Sequence, residues 1–317
     1  MTAVRVPWSS AAFLVYLGGL TILSSTLALI SIQSDEHGAA GLVLWTVLTF
    51  VVLAGAAEAA RNRGNLVTGG LLALSAVAAF VIFVGAILDW FGWLPNTNDD
   101  AVFVNGFHFW LLVLELVAVI AAAVALKRFR FPLLVLILAA ASWFFVFDLL
   151  SNGGGWAAIV TIAVGLAFLL SAIAMDGGPS RPFAFWLHVA AGLTVGGGLL
   201  WFFHDGDFDW IVIAVVGLGY IAFGDRLSRS SWVVLGGWGI LQAAAHFADK
   251  WSDIAAAGGF LFFPLFPFVL LSGLDGGFEE HHAHEWAGPV VFAVTGLLFI
   301  VLAMFYARRS RPLIAEI

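Results

Sequence analysis

Apolar residues in this chain neither alternate with polar ones nor recur at every third or fourth position. They continue for about twenty residues at a time, and short polar breaks separate the runs. The runs cover residues 9–32, 41–60, 66–90, 101–126, 132–150, 156–175, 183–203, 210–224, 231–248, 254–273 and 288–307. A helix of about twenty apolar residues crosses a hydrocarbon core of roughly 30 Å. A transmembrane β-barrel strand would instead alternate apolar and polar positions, which these runs do not. Lipid offers no hydrogen bonds to an open backbone, so apolar runs that cross it must be helical. The pattern predicts an all-α polytopic integral membrane protein, multi-pass and in contact with a lipid bilayer along most of its length.

The polar breaks give the expected orientation. Arg5 precedes the first run; the breaks that follow read "SDEHG", "RNRGN", "LPNTNDD", "KRFRF", "SNGGG", "DGGPSRP", "HDGDFD", "DRLSRSS" and "DKWSD". Basic breaks alternate with acidic or neutral ones without interruption. Lys and Arg accumulate on the cytoplasmic side of membrane proteins, so the N-terminus is expected inside and "DKWSD" outside.

The alternation then meets residues 254–273, "IAAAGGFLFFPLFPFVLLSG". Pro264 and Pro267 interrupt this run, and a proline within a helix removes a backbone hydrogen bond at a cost of ~3 kcal/mol. Broken backbone at membrane depth is tolerated where protein or a water-filled cavity surrounds it. The expectation is about ten transmembrane helices plus one re-entrant or proline-broken segment at 254–273. Residues 274–287 would then form an acidic, His-rich outer loop and 308–317 a basic cytoplasmic tail. The alternative is eleven full spans with the C-terminus outside. On the first reading Lys250 is the one exception among the 13 Lys and Arg, and most of the 20 Asp and Glu face outward. An acidic surface of that kind concentrates cations.

Composition sharpens this picture. Hydrophobic residues make up 62% of the chain, charged residues 10%, and the mean hydropathy is +1.04, well outside the range of soluble domains. The longest polar break is about a dozen residues, too short for a globular catalytic module. The chain has no cysteine, which removes disulfides, iron–sulfur clusters and thiolate metal sites. The first run is too long for a signal-peptide core and is expected to be retained as a span. Lys127 and Lys250 are the only lysines beside a larger number of arginines, a composition that suits a bacterial cytoplasmic (inner) membrane protein. No nucleotide loop, hydrolase elbow or calcium-loop motif is present, and no basic aromatic surface points to nucleic acid.

Candidate chemistry gathers in three places. Ionisable groups inside spans are expensive in lipid and usually mark paths or sites. Glu115 lies near the middle of the 101–126 run, and His108 lies two helical turns before it on the same stripe. Asp148, at the end of the 132–150 run, completes the candidate transport path. The loop "EEHHAHEW" places His281, His282, His284 and Glu285 within one short stretch. Imidazoles with a carboxylate suit a divalent ion such as zinc or copper. His204 and His246 lie at other outer span ends; brought together with His108, two of these could ligate a haem or all three a metal. His188, among small residues, reads as a packing histidine. Pro264 and Pro267 are the candidate gate.

Two weaker signals point the same way. Pro132, Pro182 and Trp232 open spans fifty residues apart, and "FHFWL" at 107–111 echoes "FAFWL" at 183–187 in the opposite direction. Inverted repeats are a feature of secondary transporters. The functional expectation is a transporter or channel-like protein that takes a small cation or proton-coupled solute from an acidic outer face. The alternatives are a haem- or metal-binding redox subunit, and a non-catalytic subunit that packs against membrane-protein partners or a second copy of itself.

Overall fold

In a computed structural model of the chain, the described residues are 38, 40–94, 109–151, 154–178, 180–203 and 205–251, without the side chains of 248–251. Among them every regular element is an α-helix. The helices are α1 (Ala40–Asn62), α2 (Leu66–Trp90), α3 (Phe109–Phe129), α4 (Leu134–Leu150), α5 (Gly154–Met175), α6 (Arg181–Phe202), α7 (Asp207–Leu227) and α8 (Ser230–Trp251). Six of them, α1, α2, α3, α5, α6 and α7, are long and apolar enough to cross a membrane; α4 is apolar but shorter. The runs expected at 9–32, 254–273 and 288–307 lie outside the described residues, as do the outer loop and the basic tail.

The helix ends follow local chemistry. Gly64 and Gly92 adopt positive φ after α1 and α2. Each is followed by a residue whose N–H reaches back to the last helical turn, Asn65 to the Ala60 carbonyl (2.9 Å) and Trp93 to that of Leu88 (2.9 Å). Glycine enters this left-handed stop without a Cβ penalty. Ser228 makes the same stop after α7 at φ 52°, with Arg229 N–H donating to Gly224 O at 2.9 Å. Pro182 sits in the first turn of α6, where no intrahelical partner is lost.

The helices divide into two compact units, one ending at Gly198 and the other beginning at Leu199. In the first, α2, α3 and α4 enclose a core of Leu71, Leu74, Val77, Ala122, Ala125, Phe131 and Leu134. Phe131, in the α3–α4 connection, fills the space that a side chain at Gly70 would occupy. Helix α1 packs on α2 through Leu53, Ala76 and Ala79. Helices α5 and α6 approach closely at Gly165, where a Cβ would meet Val195 N at 2.9 Å. In the second unit α7 and α8 touch backbone to backbone at Gly217 and Gly236. Small residues that admit such contact are the usual currency of helix pairing in lipid, where apolar burial between helices gains little. Leu170, Val124 and Phe208 are exposed, as lipid-facing side chains are.

Candidate functional site: a buried carboxyl pair

Helices α3 and α4 form an antiparallel hairpin around Phe131. Glu115 stands fourteen residues before Phe129, and Asp148 stands fourteen residues after Leu134. At 1.5 Å per residue both lie about 21 Å from the hairpin's closed end. Equal depth on adjacent helices brings the two carboxyl groups side by side, within reach of one another. Glu115 is 9% exposed, while Asp148 is half-buried and makes further interactions. Two carboxylates can only accept, so a hydrogen bond forms between them only when one carries a proton. Among the described residues Glu115 Oε2 is buried without a hydrogen bond. The pair can therefore take up a proton and leaves one buried acceptor open.

Tryptophans fix the frame around Asp148. Trp143, in the preceding turn of α4, donates from Nε1 to Thr161 Oγ1 on α5 at 3.2 Å. Trp156 Nε1 donates to the Leu150 carbonyl at 2.8 Å, and Ser151 N–H closes α4 on Phe147 O at 2.7 Å. The same end of α2 and α3 carries a ladder of aromatic rings, in which Trp93 stacks on Trp110 at 4.2 Å. Such rings favour the membrane–water interface.

The other sequence-derived residues divide between described and undescribed parts of the chain. His246 lies near the end of α8, 3.3 Å from Asp207 Oδ1 and stacked on Trp210 at 4.9 Å. Among the described residues Trp210 Nε1 is buried without a partner. Among the described residues no three His, Asp or Glu groups come together as a metal site. His108, His204, Pro264, Pro267, His281, His282, His284 and Glu285 all lie outside the described residues.

Two polar contacts were not anticipated from the sequence. His188 is fully buried, a satisfied packing histidine as expected, but its partner is Asp176, just past α5, at 3.0 Å from Nε2. Toward the closed end of the α3–α4 hairpin Glu58 on α1 accepts from Arg61 at 2.9 Å and is held by Arg128 of α3, which donates from Nη2 and, at 3.3 Å, from Nε. The Glu58–Arg61 spacing of three is legible as one helix face. The contact across seventy residues with Arg128 is not.

No family model, curated protein or solved structure matches this chain. Its functional reading comes from the residues themselves.

Proposed function

We propose that the protein is a multi-pass transporter or channel-like protein of a bacterial cytoplasmic membrane, and that Glu115 and Asp148 form its proton- or cation-binding step. The N-terminus and C-terminus lie inside, with about ten spans and a re-entrant segment at 254–273. His108 leads from the acidic outer face to the pair, and Pro264 with Pro267 forms a gate. The observation that carries this reading is Glu115: a carboxyl buried within an apolar helix, beside a second carboxyl and left, among the described residues, with one unpartnered oxygen. A group needed only for packing gains nothing from an orphan acceptor, which costs about 1–3 kcal/mol to bury. A group that takes up and releases a proton needs a vacant acceptor. Ionisable residues at such positions recur in proton relays of pumps and transporters. His246 supports a metal or haem reading less well, because its described neighbours supply one carboxylate, Asp207.

The test is proton flux in proteoliposomes that contain a pH-sensitive dye. An imposed gradient should dissipate through the wild-type protein, and Glu115→Gln should reduce the protein-dependent rate by about tenfold or more while leaving the thermal unfolding transition in place. Asp148→Asn should reduce the rate likewise. Wild-type flux from Glu115→Gln would remove the pair from the path and leave it a structural contact.

A further inference from the structure

A cavity of about 590 Å³ lies between α1, α2 and α3. Its walls are apolar, with Phe50, Ala54, Val77, Phe80, Ile120 and Val124 among them, and only Glu58 and Arg128 bring charge to it. Along α3 the lining runs from Val117 to Phe129, about 18 Å of helix. The cavity is thus a slot parallel to the helices, charged at one end and apolar along the rest. Specific ligand pockets fall in this volume range, and most are lined in this proportion.

The charged end is rich in cations. The end of α1 and the turn after it bring Arg61 and Arg63, and the end of α3 and the turn after it bring Lys127, Arg128 and Arg130. Glu58 accepts from both Arg61 and Arg128, so one carboxylate faces two guanidiniums and three further cations stand exposed nearby. Each guanidinium carries five N–H donors, and Glu58 has two oxygens to receive them. Donors are left over where the slot meets the membrane surface.

We propose that this slot holds an anionic phospholipid, with one acyl chain against α1, α2 and α3 and the phosphate at Arg128 and Arg61. Apolar walls favour the chain, since burying apolar surface gains roughly 25 cal/mol per Å² relative to water. The surplus of guanidinium donors favours phosphate over a neutral head, because Arg binds phosphate through paired hydrogen bonds. Basic pockets between transmembrane helices are recognised sites for anionic headgroups. A zwitterionic lipid brings a quaternary ammonium to the same five cations, which repel it.

Spin-labelled phosphatidylglycerol and spin-labelled phosphatidylcholine, added in turn to the full chain in lipid nanodiscs, test this directly. The expected result is an immobilised component with phosphatidylglycerol, present in about one copy per chain, and a bound fraction about tenfold lower with phosphatidylcholine. Val124→Trp, which places an indole in the slot from an exposed position, should abolish the immobilised component without lowering the unfolding temperature. Ala54→Leu should weaken it from the opposite wall. Arg128→Gln should erase the preference between the two lipids. Equal immobilisation of the two lipids by wild type would overturn the proposal. So would a Val124→Trp protein that retains the component. If no immobilised component is seen and Val124→Trp lowers the unfolding temperature, the slot is filled by protein, such as the apolar run at 9–32, and the proposal fails.

Discussion

Glu115 lies beside Asp148 and, among the described residues, buries Oε2 without a partner, so the role we propose for it and stability pull in opposite directions at this residue. Replacing Glu115 alone with leucine removes that acceptor but strands the half-buried Asp148, whereas replacing both carboxyls with apolar groups of similar volume is often neutral or stabilising. Glu115→Leu with Asp148→Leu is therefore expected to raise the unfolding free energy by about 1 kcal/mol relative to Glu115→Leu alone while abolishing any flux that depends on the pair. Thermal unfolding in detergent, set beside flux in liposomes, checks both halves. A double variant no more stable than Glu115→Leu would show that Asp148 does not depend on Glu115 for a partner. The position of Glu115 inside a span was legible from the sequence; its partnership with Asp148 was not fully so. Both residues could be placed on one path, but their equal depth needed the hairpin ends at Phe129 and Leu134, and those depend on where Phe131 docks.

Between elements, the contact of α7 with α8 tests how far small residues set helix pairing. At Gly236 an added Cβ would run into the Gly217 carbonyl, and at Gly217 it would meet Gly236 O at 2.6 Å. Backbone cannot yield as a flexible side chain does. Gly236→Ala is expected to destabilise the pair by about 2 kcal/mol, the scale of overpacking a tight interface. Gly219, on the same helix, has nothing within 4 Å of an added Cβ. Gly219→Ala should leave stability unchanged or raise it by about 0.5 kcal/mol, because alanine restricts the unfolded chain. Equal gains from both substitutions would mean that helix propensity, not interhelical approach, dominates here. The extents of these helices were readable from apolar runs alone: 66–90 was expected, and Leu66–Trp90 forms. Their faces were not readable, since residues that are apolar all round leave no amphipathic stripe to show which side meets a neighbour. The same limit hid Asp176 from His188 and Arg128 from Glu58, both of which depend on how helices turn about their axes.

For the whole molecule, charge decides what apolar length leaves open. Each apolar run can cross a bilayer, but only the side on which Lys and Arg collect orients the crossings. The described helices agree with this pattern in one respect that length does not require. The basic α1–α2 and α3–α4 connections meet at one end, joined through Glu58, as they must if both face the cytoplasm. The number of crossings turns on 254–273, which lies outside the described residues and whose two prolines allow either a full crossing or a return. The choice changes the chemistry. A full crossing moves His281, His282, His284 and Glu285 to the cytoplasm and leaves the arginines of the tail outside, against the charge rule; a return keeps the histidines on the acidic face, where they could gather cations for the carboxyl pair. Because the chain has no cysteine, one introduced thiol reports without background. Ser310→Cys, beside Arg308, Arg309 and Arg311, is expected to react with a membrane-impermeant maleimide only after cells are permeabilised, as should Asn62→Cys in the α1–α2 connection. Phe91→Cys, at the other end of α2, should react in intact cells. If Ser310→Cys instead reacts with Phe91→Cys from outside, 254–273 crosses, the protein has eleven spans, and the histidine loop belongs to the cytoplasm. The Glu115–Asp148 pair would then have to draw from the outer face without it.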